Sequence, residues 1–118
     1  MKMWMVIVLA LCLIPALASA QVKNPTTVVL TVSTDHAQVT RYELGWFLGA
    51  AVDPVQMADL GTGTPVAGEL AKPLPNYPIG VTYTGKARAY VNTIASDWSP
   101  ASNSFFRTPA APPSLVVR

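Results

Sequence analysis

The chain contains one cysteine, Cys12, one histidine, His36, and only 12% charged residues. Each shortage excludes a chemistry. Cys12 lies in the apolar first 20 residues, so the rest of the chain has no disulfide, no thiol nucleophile and no thiolate metal ligand. A lone histidine without cysteine cannot supply the ligands of a zinc site. The carboxylates Asp35, Glu43, Asp53, Asp59, Glu69 and Asp97 are scattered, with no Asp-x-Asp loop suited to calcium. His36 sits beside Asp35 in a polar turn and no serine is flanked by elbow glycines. A catalytic triad therefore has no candidate, and His36 reads as a solvated loop residue. Gly61-Thr62-Gly63 lacks the following glycine and lysine of a phosphate loop and reads as a turn. The net charge of +2 includes no basic patch that could follow a phosphate backbone. No cofactor, no metal, no nucleic-acid partner and no enzymatic activity are expected.

What is present begins with a leader. Lys2 and the amino terminus make a positive start, residues 4–13 are uncharged and apolar, and Pro15 stops any helix. Ala18-Ser19-Ala20 then offers small residues two apart, the layout of a cleaved secretory signal. Even stretched over residues 3–18, the apolar run is short for a membrane span. Residues 1–20 are therefore expected to be a signal peptide cleaved after Ala20. The product is expected to be secreted or periplasmic, extracellular in the broad sense, with no stable membrane span.

After the leader the hydrophobic period is two. Val28, Leu30 and Val32 share one face of a β-branched run. Tyr42, Leu44, Trp46 and Leu48 share the inner face of the next, with Arg41, Glu43 and Phe47 on a wet outer face. Short strands are expected at 55–60 and 66–70, and the proline-rich stretch 72–78 as loop. Tyr83, Gly85, Ala87, Ala89 and Val91 alternate inward, against Thr84, Lys86, Arg88 and Tyr90 outward. Residues 92–100 read as a polar loop holding Trp98, and 104–108 as a last strand. Six or seven short strands with turns between them indicate an all-β antiparallel sandwich, and a closed barrel has a similar pattern.

Tyr83-Thr84-Gly85-Lys86-Ala87-Arg88-Ala89-Tyr90, then Ser96-Asp97-Trp98-Ser99, then Ser102-Asn103 through Thr108-Pro109, resembles the end of a fibronectin type III domain. Upstream, Tyr42-x-Leu44-x-Trp46 is similar to the third strand of that family. The resemblance, to the secreted bacterial members with a leader and one such module, spans residues 25–109 and implies an immunoglobulin-like sandwich occupying residues 21–109, followed by a Pro-rich tail at 110–118. It assigns structural roles to Tyr42, Leu44, Trp46, Ala87 and Ala89. It also implies that Tyr83 is a tyrosine corner, its hydroxyl bonded to upstream backbone. Three departures stand out. Val32 replaces a core tryptophan whose volume Trp46 could fill, Tyr77 replaces a leucine, and the first strand is barely present.

The implied function is non-enzymatic: a secreted module for protein–protein interaction, adhesion or spacing. The alternative is a carbohydrate-binding accessory module of an extracellular enzyme system. Phe47, Lys86, Arg88, Tyr90 and Trp98 are the candidate partner-binding residues, forming a mixed aromatic and basic face for protein or polysaccharide. Trp98 lies in a segment similar to half of the Trp-Ser-x-Trp-Ser box of cytokine-receptor modules, where a tryptophan packs on strand arginines. Coplanar Phe47, Tyr90 and Trp98 would favour sugar. The tail has three possible fates: fraying, folding back on its own sheet, or self-association by adding to the first-strand edge of a second copy.

Overall fold

The computed structural model describes residues 20–118. Residues 1–19 of the expected signal peptide, with Cys12, lie outside the described residues. Among the described residues the strands are eight and short: β1 (Val22–Lys23), β2 (Thr27–Thr31), β3 (Arg41–Phe47), β4 (Gln56–Gly61), β5 (Glu69–Pro73), β6 (Thr84–Val91), β7 (Ile94–Ala95) and β8 (Phe105–Phe106). Among the described residues the only helical element is a 3-10 turn at His36–Gln38. The described residues are all-β, as their period-two pattern requires.

Two antiparallel sheets share one core. β2 pairs with β5, while the larger sheet runs β4-β3-β6-β7. Leu30 and Leu70 meet Tyr42, Leu44, Trp46 and Leu60 across the interior, with Tyr77, Tyr83 and Phe105 closing one end. Trp46 is fully buried in this cluster, and Val32 packs against it. Tyr77 stands edge-on to both Tyr83 and Phe105, a favoured aromatic geometry.

Several expectations are corrected by turn chemistry. The strand expected at 66–70 begins three residues later. Val66 and Glu69 exchange both backbone hydrogen bonds around Ala67 and Gly68, whose φ values are 52° and 78°, as in a two-residue hairpin turn. The strand then runs into the stretch expected to be loop and ends on Pro73, opposite Thr27. That position is a non-hydrogen-bonded pair, so the missing proline N–H costs nothing. The polar loop 92–100 contains a second hairpin, with Val91 opposite Ile94 and Asn92 at φ 57°. Leu48 leaves the inner face because β3 ends at Phe47 and Gly49 turns the chain. Opposite the Tyr42–Glu43 step, β4 carries an extra residue, the bulged and buried Leu60.

The ends of the domain are joined differently from an ordinary meander. β1 lies parallel to β8 rather than beside β2. The Asn24 side chain donates to Thr108 Oγ1 at 3.0 Å and accepts from the Thr108 N–H at 2.9 Å. The tyrosine expectation is corrected as well. The Tyr83 ring is buried, but among the described residues the hydroxyls bonded to backbone are those of Tyr77, which donates to the Pro25 carbonyl at 3.2 Å, and Tyr42, which accepts the Ser33 N–H at 3.1 Å. Burial pushes the Tyr77 phenol up despite the opposing charge of Arg107, which keeps it a donor.

Candidate functional site

Pairing of β3 with β6 sets Arg41 opposite Tyr90, Glu43 opposite Arg88 and Gly45 opposite Lys86 on the outer face. These neighbours interlock. The Arg41 guanidinium lies 3.7 Å from the centre of the Tyr90 ring. Arg88 sits 5.3 Å from Tyr90 and 4.2 Å from Trp98. Trp98 meets Phe47 edge-on at 5.3 Å and 86°, and the Lys86 ammonium lies 4.6 Å over Phe47. Alternating cations and rings of this kind each contribute about 0.5–1 kcal/mol where exposed.

Glu43 anchors the stack from beneath. Its Oε1 accepts from Arg88 Nε at 2.8 Å and the Tyr90 hydroxyl at 3.2 Å, and its Oε2 accepts from Arg41 at 3.4 Å. Burial alone would push the Glu43 carboxyl up. Bonds from Arg88 and Tyr90, the Arg88 charge and the bond from Arg41 together outweigh burial and hold it below the usual carboxylate range. Gly45 makes room for the tryptophan. A Cβ there would stand 2.9 Å from Phe47 and 3.0 Å from Trp98.

The five residues expected to form an exposed binding face are thus brought together, but they are occupied with one another. Phe47, expected on a wet surface, is fully buried, because Trp98 folds back over Gly45. Trp98 and Tyr90 are half-buried, and the perpendicular setting of Phe47 and Trp98 gives no flat platform for a sugar ring. Glu43 and Gly45, which hold the arrangement, were not singled out by sequence. Their signal was position: both lie on the outer face of β3, directly across from the two β6 cations.

Trp98 is carried by a segment that is not a strand. Ser96, Ser99 and Ser102 donate their N–H groups to the carbonyls of Ala89, Ala87 and Gly85 at 2.7–2.8 Å. Each serine Oγ accepts the N–H of that same β6 residue at 2.9–3.0 Å. Three residues of the segment thus span two of β6, or ~2.3 Å per residue against ~3.4 Å for an extended strand. The serines replace ladder groups that this contraction would leave unpaired. Their spacing of three was the legible clue. Ser99→Ala is expected to cost about 0.5–1.5 kcal/mol, measured by chemical denaturation, with Trp98 emission shifting toward that of a wet indole.

His36 is corrected too: it is half-buried and bonded at both ring nitrogens. The Gly63 carbonyl can only accept, so Nε2 carries the proton at 2.9 Å. Nδ1 then accepts from the Tyr42 hydroxyl at 2.8 Å, whose oxygen accepts the Ser33 N–H at 3.1 Å. The histidine ties two loops to the core. Among the described residues, no group of three or more His, Cys, Asp or Glu side chains could hold a metal ion.

The remaining feature is the outer edge of β2. Val32 donates to Gly68 and Leu74 to Thr26, which sets the parity of the ladder. Even-numbered residues of β2 bond β5, so the N–H and C=O groups of Thr27, Val29 and Thr31 face the other way. Among the described residues nothing pairs with them. They border a groove of about 600 Å³ between β2 and the serine segment, with Val28, Leu30, Leu44, Ala87, Pro100 and Phe105 among its lining. β1 would close this edge had it paired with β2 instead of β8. No protein-family model, curated protein or solved structure matches the chain.

Proposed function

We propose that this chain is a secreted, non-enzymatic β-sandwich module of fibronectin type III build that binds a protein partner by accepting an extended segment along β2. The pairing of β2 with β5, and the order β4-β3-β6 in the facing sheet, support that build. The open edge of β2 above an apolar groove carries the functional reading. Unpaired ladder groups give affinity to an added strand, and a groove that takes alternate side chains gives selectivity. The edge sequence Thr27-Val28-Val29-Leu30-Thr31 has no charge and no proline, the features that usually blunt an edge. The carbohydrate alternative draws no such support, since the aromatic face is filled by its own cations.

The test is a titration of isotopically labelled chain with linear peptides of alternating apolar and polar residues. Amide shifts at Thr27, Val29 and Thr31 are expected. Shifts confined to Tyr90 and Trp98 on titration with oligosaccharides, with none on β2 from any peptide, would instead favour the sugar reading.

A further inference from the structure

We infer that the segment seated on the β2 edge is residues 114–118 of a second copy of this chain. This rests on the strand-capture reading above. The segment Ser114-Leu115-Val116-Val117-Arg118 is proline-free, with three consecutive large apolar residues. Leu115, Val116 and Val117 are 89%, 67% and 90% exposed, a cluster of large apolar side chains left against nothing. In an extended conformation Leu115 and Val117 point to one side and Val116 to the other. The first pair would enter the groove over Val28, Leu30 and Phe105.

The register of the domain argues against the chain serving its own edge. Asn24 and Thr108 lie side by side, and the strands leading into them run parallel. β2 occupies the positions three to seven residues beyond Asn24. A tail continuing in the β1–β8 register, which sets Val22 opposite Phe105, would place residues 110–114 there, with Pro112 and Pro113 against the edge and no N–H to offer. Leu115, Val116 and Val117 would all overshoot β2. The same prolines hold the tail extended and away from its own body, which favours a neighbour. Each copy offers one edge and one tail, so the contact is head-to-tail and does not close at two.

Sedimentation velocity of the full chain, as purified from the producing cell, tests this across a wide concentration range. Mass is expected to climb beyond a dimer. Val29→Pro removes a free edge N–H and leaves the β2–β5 bonds intact, while Leu115→Lys with Val117→Lys puts charge where the groove is apolar. Each variant alone is expected to associate about tenfold more weakly or worse, and an equimolar mixture to form dimers and nothing larger. If Val29→Pro does not fold, Val29→Lys on the same exposed position takes its place. A wild-type chain that stays monomeric overturns the proposal, as does a tail variant that associates like wild type. A monomeric chain that still shows peptide shifts at Thr27, Val29 and Thr31 overturns only the tail as occupant. Loss of those shifts as well overturns strand capture itself.

Discussion

Trp46→Ala is expected to lose about 3–5 kcal/mol of folding free energy, read as a lowered urea midpoint with little change in slope. Trp46 is fully buried between the sheets, on the central strand of the larger one. Removing the indole leaves a cavity that strands hydrogen-bonded on both sides cannot collapse to fill. A small domain holds about 5–15 kcal/mol in total, so a large share of its stability rests on one ring. Trp46→Phe behaves differently. Among the described residues the indole Nε1 is buried without a hydrogen-bond partner. Phenylalanine forfeits some volume and also removes an unpaired donor that costs about 1–3 kcal/mol to bury. The net change is expected to stay within about 1 kcal/mol, and a loss as large as that of alanine would refute this account of the site.

The second large effect belongs to Arg88→Met. The methionine keeps much of the apolar contact with Trp98 but leaves Glu43, whose side chain is only 11% exposed, without its nearest partner at 2.7 Å. Stranding that carboxylate is expected to cost about 2–3 kcal/mol at neutral pH. The pH dependence follows from the depressed Glu43 pKa. The unfolded chain binds the proton first as pH falls, so the contribution of Glu43 is complete above the ordinary carboxylate pKa. It is lost on acidification through the lower folded value. Wild-type stability should therefore decline below about pH 4.5, and the decline should be shallower in Arg88→Met. Parallel denaturation curves at pH 3 and pH 7 check this, and equal acid sensitivity in both proteins would remove Glu43 as the cause.

The alternation of β3 and β6 was legible because one face of each strand must be apolar to meet the other sheet. Tyr42, Leu44, Trp46, Tyr83, Ala87 and Ala89 follow that rule. Phe47 does not, because burial there comes from Trp98, a residue 51 positions later whose return depends on the absence of a side chain at Gly45. Such long-range cover leaves no periodic trace. Strand β5 was misplaced because Ala67 takes the left-handed conformation usually given to glycine or asparagine. The choice of partner for the first strand was also hidden. Residues 22–23 are too short to favour one neighbour by pattern, and the decision rests on Asn24, whose amide clamps Thr108.

That clamp has a mechanical meaning. Because β1 and β8 run the same way, tension applied at residues 21 and 109 drags the two strands past each other along their length. The bonds from Val22 to Ser104, from Asn24 to Phe106 and between Asn24 and Thr108 would then stretch together and fail together, where an antiparallel closure would unzip one bond at a time. A tether built this way resists pulling in shear, and Asn24→Ala would weaken its rupture force more than its resting stability.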